Sequence, residues 1–297
     1  MSVTDITDDD AKLRSAWHRT PRWAVSVIMP VARVDRFLDA TLESIDAQSW
    51  RDFELLVICD DRQYEALQTH LMSKSLHCYW RIVSTPMHGF AFALNLGIAM
   101  ADAEFIARWD ADDLCDPSRL ARQVETFRAN PRLALLGTRA VLIDGDGKPL
   151  SFHHVKFYAT NEAIRRALRY RQAIVHSALM MRRTQALAWG GYCYGYASED
   201  HAMYLRVARD PALEFGNLGD VCCYYRRHEA QLSGRSRQFN QFCEIAGFMV
   251  AEFLHTGHPM YLVGALANLP LARDMRRVVR TVQRAVAGAL CRFGKTS

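Results

Sequence analysis

No two of the eight cysteines form a C-x-x-C pair, which argues against a zinc ribbon or a thioredoxin-type site. They are scattered, several inside apolar runs, where a free cysteine serves as a small hydrophobe. Reduced thiols suit a cytoplasmic chain. Glycine (16) and proline (9) are too few for a collagen-like or low-complexity chain. The opening MSVTDITDDD lacks the positive start and apolar run of a secretory signal, so none is expected. No uninterrupted apolar run reaches the ~20 residues of a spanning helix. The richest stretch, Gly247 to Ala272, is broken by Glu252, His255, His258, Pro259 and Pro270, and reads as packed or interfacial helices. No internal repeat is present.

What is there is ordinary globular material. Half of the 297 residues are hydrophobic and 23% are charged, which excludes disorder across the whole chain. The length allows one large domain, or one plus an appendage. A net charge of +5 is unevenly placed. From Leu271 to Ser297 stand Arg273, Arg276, Arg277, Arg280, Arg284, Arg292 and Lys295 against the single acid Asp274, more than the whole excess. A basic tail on a near-neutral body points to a local electrostatic partner, not to a nucleic-acid-coating protein. The arginines fall at helical spacing among Met275, Val278, Val279, Val282 and Val286, the pattern of a helix lying on an anionic membrane surface. The alternative is a helix packed on its own domain with arginines facing water.

Apolar β-rich runs alternate with amphipathic ones. Strands are expected at Trp23 to Met29 (stopped by Pro30), Phe53 to Cys59, His77 to Val83, Glu104 to Trp109 and Leu133 to Ile143. Helices are expected at Arg33 to Ala47, Tyr64 to Lys74, Phe90 to Ala101 and Pro117 to Asn130. This order predicts an α/β fold with a mostly parallel sheet flanked by helices, and a helical region from about Gln238. The expected organisation is a polar lead-in over 1–20, a main domain over 21–234 divided at 145/146, and a helical extension over 235–297.

Such sheets bind ligands at the carboxyl ends of their strands, where two acidic clusters fall. Asp110-Ala-Asp112 follows the fourth strand. Carboxylates two apart can share one site, contacting a ribose and a divalent cation, and Mg2+ or Mn2+ suits carboxylate and phosphate oxygens. The alternative is a solvated loop ahead of the next helix. Asp60-Asp61, taken alone, reads as a turn after a strand. Glu199-Asp200 precedes a helical run, where acids are favoured by the helix dipole alone. His176 lies in an apolar, strand-like run, and a satisfied core histidine is its simplest reading.

Several phrases carry a resemblance when taken in order. They are Val25-Ser-Val-Ile-Met-Pro30, Leu42-Glu-Ser-Ile-Asp-Ala-Gln-Ser49, Phe53-Glu-Leu-Leu-Val-Ile-Cys-Asp60 and Gly89-Phe-Ala-Phe-Ala-Leu-Asn95-Leu-Gly97. Phe105-Ile-Ala-Arg-Trp-Asp110-Ala-Asp112-Asp113, Pro117-Ser-Arg119-Leu120, Ser198-Glu199-Asp200 and Tyr225-Arg226-Arg-His228-x-x-Gln231-Leu-Ser233 follow. Together, over about residues 22–233, they resemble the family 2 glycosyltransferases. The resemblance implies a GT-A (Rossmann-like nucleotide-binding) fold, a nucleotide diphosphate sugar donor, UDP-linked, and inversion at the anomeric carbon.

Carried over by position, Pro30 and Asp60 would flank the base, with Asp60 accepting from a uracil-like ring. Gly89 and Asn95 would shape the donor pocket, and Asp110 would sit near the ribose. Asp112 would hold Mn2+ or Mg2+, joined by His228, and Arg226 would clamp phosphate. Asp200 would be the general base, and His176 resembles a family position near the donor. One departure stands at the second strand end, where Arg62 replaces the family's usual serine. The acceptor implied is a glycan or lipid-linked hydroxyl in surface polysaccharide, lipopolysaccharide or glycoprotein glycan synthesis, on the inner face of the membrane. Two other classes remain. A nucleotidyltransferase would want a Gly/Arg/Lys-rich phosphate loop, which Pro30-Val-Ala-Arg33-Val is not. A non-catalytic nucleotide-sugar-binding scaffold would tolerate loss of the base.

Overall fold

The computed structural model describes residues 20–228 and 235–269. The lead-in, the end of the closing motif (Gln231, Ser233) and the basic tail from Leu271 lie outside the described residues.

Among the described residues nine strands form one mixed sheet in the order β3-β2-β1-β4-β8-β6-β9-β5, with β7 pairing β6. The first four are β1 (Trp23–Val31), β2 (Phe53–Asp60), β3 (Tyr79–Thr85) and β4 (Ala103–Arg108). They pair in parallel, as the alternation with helices predicts. Next come β5 (Leu114–Cys115), β6 (Leu133–Ile143), β7 (Pro149–His154), β8 (Met180–Arg182) and β9 (Glu214–Arg226). Here the sheet turns mixed, since β8 runs antiparallel to both β4 and β6 while β6 and β9 are parallel.

The helices are α1 (Leu38–Asp46), α2 (Tyr64–Met72), α3 (Phe90–Met100), α4 (Arg119–Ala129), α5 (Asn161–Leu168), α6 (Arg183–Ala188), α7 (Glu199–Ala208), α8 (Arg235–Thr256) and α9 (Met260–Asn268). They cover both faces of the sheet. Val25, Val27, Met29, Leu55 and Val57 share one core with Leu42 and Ile45 of α1, Leu67 of α2 and Phe127 of α4. Ile28, Leu56 and Ile58 share the other with Leu94 and Ile98 of α3, Leu168 of α5, Met203 of α7 and Met249 of α8. Burial on both faces explains why β1 and β2 read as continuous apolar runs without alternation.

Four expectations need correction. Pro30 does not end β1, which runs on to Val31. β1 pairs with β4 only as far as Ile28↔Arg108, so the N–H that proline lacks falls beyond the end of β4 and removes no ladder bond. The helix expected from Arg33 begins at Leu38, after a turn in which Asp35 accepts from the Phe37 N–H at 2.9 Å. The third strand is shifted to Tyr79–Thr85. His176 lies in a 3-10 turn, His176–Ala178, not in a strand. The apolar residues around it pack into both cores, which mimics a strand's composition without its backbone.

Candidate active site

The parallel strands bring Pro30, Asp60 and the β4 exit to one edge of the sheet, since Pro30 stands opposite Ile58 and Asp60 opposite Thr85. The loop after β4, Trp109 to Asp113, is held from both sides. Trp109 is fully buried, and its backbone N–H donates to the Ile28 carbonyl at 3.0 Å. The Thr41 hydroxyl donates to the carbonyls of Ala111 and Asp113, both at 3.0 Å. Beneath the loop the buried Arg119 donates to the Arg108 carbonyl at 2.8 Å and stacks on the Trp109 ring. A buried arginine spent on a carbonyl and an indole is a positioning device.

Asp110, Asp112 and Asp113 consequently converge, with one carboxylate oxygen from each lying within 4.8 Å of the others. Burial and the neighbouring Asp112 charge push the Asp110 carboxyl up, against the opposing pull of Arg108. Burial raises Asp113 strongly. His228 Nε2 lies 2.8 Å from Asp112 Oδ2, and its ring packs on Phe37 at 4.6 Å. The two residues assigned to a metal, 116 positions apart, therefore meet. Carboxylate oxygens with one imidazole are a donor set that fits a hard divalent cation.

Arg226 is engaged by the protein itself. Its guanidinium donates to the carbonyls of Asp112, Asp144 and Gly145 at 2.8, 3.1 and 3.0 Å, and its backbone N–H to Asp113 Oδ1 at 2.8 Å. It ties the acidic loop to the β6–β7 turn. Asn95 likewise spends its amide on the Tyr192 backbone, accepting from the N–H and donating to the carbonyl, both at 2.8 Å. Gly89 caps α3 at φ +132°, a conformation that only glycine adopts freely. Asp60 accepts from Arg62 at its backbone N–H and Nε, both at 2.9 Å, and pairs with His88. The Arg62 hydrogen bonds hold the Asp60 carboxyl at about 2. The residue that departs from the family pattern is thus the one that occupies Asp60.

The second half of the site is the start of α7. Glu199 and Asp200 are both buried. Asp200 accepts from the His201 N–H at 2.7 Å and from the Gln172 amide. His176 Nδ1 lies 3.8 Å from a carboxylate oxygen of each acid, and its Nε2 meets the Tyr192 hydroxyl at 2.9 Å. Burial, reinforced by Arg108, keeps the His176 pKa well below its ordinary value, so the ring is neutral. Burial also raises Asp200, and it lifts Glu199, with the Asp200 charge adding, to about 7.

Between the halves stands Arg108, a buried cation paired with Asp110. It lowers the pKa of both Glu199 and Asp200, while its own is raised against burial, chiefly by Asp110 and also by Glu199. The structure places Arg108 and Asp113 within this cluster of charges, two residues that the sequence alone leaves unassigned. The available signal was an arginine closing the apolar run Phe105-Ile-Ala, two positions before Asp110. Gln172 and Tyr192 offered no local signal, because each acts through contacts distant in the chain.

The Glu199 shift has a thermodynamic consequence. Below pH ~4.5 folded and unfolded states both hold the proton, and the group contributes nothing. Between there and about 7 the unfolded state releases it first, so the folded state loses stability as pH rises. Glu199→Gln is therefore expected to stabilise the protein by about 2–3 kcal/mol at pH 8, and hardly at pH 4.5. Paired thermal melts of the metal-free protein at the two pH values check this.

Residues 26–188 match the family model for glycosyl transferase family 2. The O-antigen biosynthesis glycosyltransferase WbnJ of Escherichia coli is 29% identical over 232 residues, covering 77% of this chain and 89% of WbnJ. Among solved structures, S. aureus TarS 1-349 in complex with UDP-GlcNAc superposes with a TM-score of 0.61 at 15% identity, over 82% of this chain and 72% of that 1-349 fragment. The mannosyltransferase PcManGT from Pyrobaculum calidifontis, in complex with GDP-Man and Mn2+, gives 0.58 at 16% identity, over 96% and 89%. The sheet and its helices are thus those of the GT-A fold.

Proposed function

The chain belongs to glycosyl transferase family 2, and from that premise we propose that it moves a sugar from a UDP-sugar to an acceptor hydroxyl, with inversion, in bacterial surface-glycan synthesis. The observation that carries this reading is the pairing, at one sheet edge, of a three-carboxylate cluster with a buried acid pair. The family assignment removes the nucleotidyltransferase alternative.

In this reading the nucleotide lies over the ends of β1 and β2, with Pro30 and Asp60 beside the base, Asp110 near the ribose and Gly89 opening the backbone. Asp112, with His228 at its side, would hold Mn2+ or Mg2+. When bound, such an ion neutralises the charge that builds on a departing diphosphate. Asp200 takes the proton from the acceptor hydroxyl. Its carboxylate is held by Gln172 and the His201 N–H, with one face toward neutral His176. Burial raises its pKa, which makes Asp200 a stronger base than a solvated carboxylate. Asn95 and Arg226 are positioning residues, one for the Tyr192 loop and the other for the acidic loop.

The test is release of UDP from a panel of UDP-sugars, with GDP-mannose as control, in the presence of Mn2+ and candidate glycan acceptors. Acceptor-dependent UDP release supports the reading. Donor binding without any turnover would favour the scaffold.

The acceptor is proposed to be presented at an anionic membrane. No helix among the described residues is long and apolar enough to cross one. Leu254 of α8 and Val263, Leu266 and Leu269 in or after α9 are exposed, and the cationic run from Arg273 follows directly in sequence. The full chain is expected to co-sediment with phosphatidylglycerol vesicles and not with phosphatidylcholine vesicles, and to be released by salt.

A further inference from the structure

We propose that Tyr194 and Tyr196 form a stacking platform for a pyranose ring of the acceptor, at the approach to Asp200. The proposal rests on the glycosyltransferase reading above and adds a binding site to it.

The segment between α6 and α7 carries two large aromatic side chains in the open. Tyr194 is 59% exposed and Tyr196 is 46% exposed. The segment is tethered at both ends. At its start the Tyr192 backbone is bonded to the Asn95 side chain, 97 residues away. At its end the N–H groups of Ala197 and Ser198 donate to one carboxylate oxygen of Glu244 at 2.9 and 3.0 Å, and the Gln241 amide donates to the Ala197 carbonyl at 3.0 Å. Between the two tyrosines, Gly195 at φ +81° lets the chain reverse. Tethers on two different helices hold a short exposed tip in one place.

Each ring is also seated on a second aromatic. Tyr194 meets Phe92 of α3 with centroids 6.0 Å apart, and Tyr196 meets Phe248 of α8 edge-on at 4.9 Å. Such pairs fix ring orientation while the remaining surface stays exposed. Tyrosine loses little rotamer entropy on binding, because only two torsions must be held. Seated, exposed and inexpensive to order, the rings offer flat apolar faces rimmed by hydroxyls. That surface complements the C–H face and equatorial hydroxyls of a pyranose.

The location ties the platform to the reaction. Tyr196 stands three residues before Glu199 and four before Asp200. Tyr192, at the root of the same segment, reaches His176, which faces both acids. On α3, Phe90 lies against His176 and Arg108 at the floor of the site, two residues before Phe92. Aromatic side chains therefore lead outward from the base cluster to the exposed tip. A sugar whose hydroxyl reaches Asp200 would extend over them.

The test measures sugar and nucleotide binding separately. Methyl pyranosides of glucose, galactose, N-acetylglucosamine and N-acetylgalactosamine are examined by saturation-transfer NMR on the full chain, with and without UDP and Mn2+. UDP affinity is measured by calorimetry on the same samples. At least one pyranoside is expected to bind the wild type. Tyr194→Ala with Tyr196→Ala is expected to weaken that binding at least tenfold, and the double phenylalanine variant to retain most of it. UDP affinity should stay within about twofold in all three. The proposal is overturned if no pyranoside binds while UDP does, or if the alanine variant binds pyranoside as well as wild type. It is also overturned if the alanine variant merely converts a dimer to a monomer in sedimentation with pyranoside binding intact. Failure of UDP to bind the wild type would instead contradict the donor reading, and the pyranoside signal would still decide the platform.

Discussion

Replacing Asp200 with asparagine is expected to lower kcat by ~10²–10⁴-fold, the range typical for loss of a general base. The size follows from the geometry. Asparagine keeps the volume; its one amide oxygen can still accept from the His201 N–H, and its NH2 can donate to the Gln172 amide oxygen once that amide turns over, so the start of α7 should be little disturbed. What is lost is the ability to take a proton. UDP affinity and the melting temperature should therefore change little while acceptor-dependent UDP release collapses. A pH profile adds a second reading. Wild-type activity should fall on acidification at a pH above the ordinary carboxylate range, because burial raises the Asp200 pKa. A variant that retains more than a tenth of wild-type kcat would remove Asp200 from the chemistry and leave it a helix-terminal acid.

Arg108→Met should produce the largest loss of stability in the site. The guanidinium is buried, pairs with Asp110 and acts electrostatically on Glu199 and Asp200. Removing one partner of a buried pair leaves an uncompensated charge, at a cost of about 3–5 kcal/mol. For a chain of this size that corresponds to a fall in Tm of roughly 10 °C. The sign of the pH dependence is fixed by the carboxylates. Arg108 lowers the pKa of Glu199 and Asp200, so without it both rise further. At pH 5 they can take protons and relieve the imbalance, whereas at pH 8 relief is smaller. The Tm loss should accordingly be greater at pH 8, and the acidic limb of residual activity should move to higher pH. Equal losses at the two values would mean that Arg108 acts by packing on Phe90 and not by charge.

These two residues also mark the limit of what the sequence makes legible. Asp200 was readable because it belongs to a short ordered phrase ahead of a helical run. The β4 exit and its acids were readable because an apolar strand ending in carboxylates is a local pattern. The parallel half of the sheet followed from alternating periodicities, each confined to about ten residues. Arg108 was not readable, since nothing local says that a strand cation is sealed among acids drawn from α7. Arg226 and Asn95 are placed at the site by the resemblance, but their partners within the protein were not readable. Their donors close on backbone carbonyls 81 to 114 residues away in one case and 97 in the other, and hydrophobic patterning carries no information at that range. Pro30 shows the converse error. Proline is a sound local stop signal, yet here a missing neighbour strand makes it harmless. The Asp60 contact with Arg62 was local, and the departure from the family's serine was its visible sign.

The central claim is that the acidic cluster after β4 binds nucleoside diphosphate through a divalent ion held by Asp112. The direct measurement is a calorimetric titration of UDP into the wild type and Asp112→Ala, each with and without Mn2+. The account predicts tight binding only for the wild type with Mn2+, and binding weakened by at least tenfold in the other three samples. UDP binding of equal strength in all four samples would contradict it.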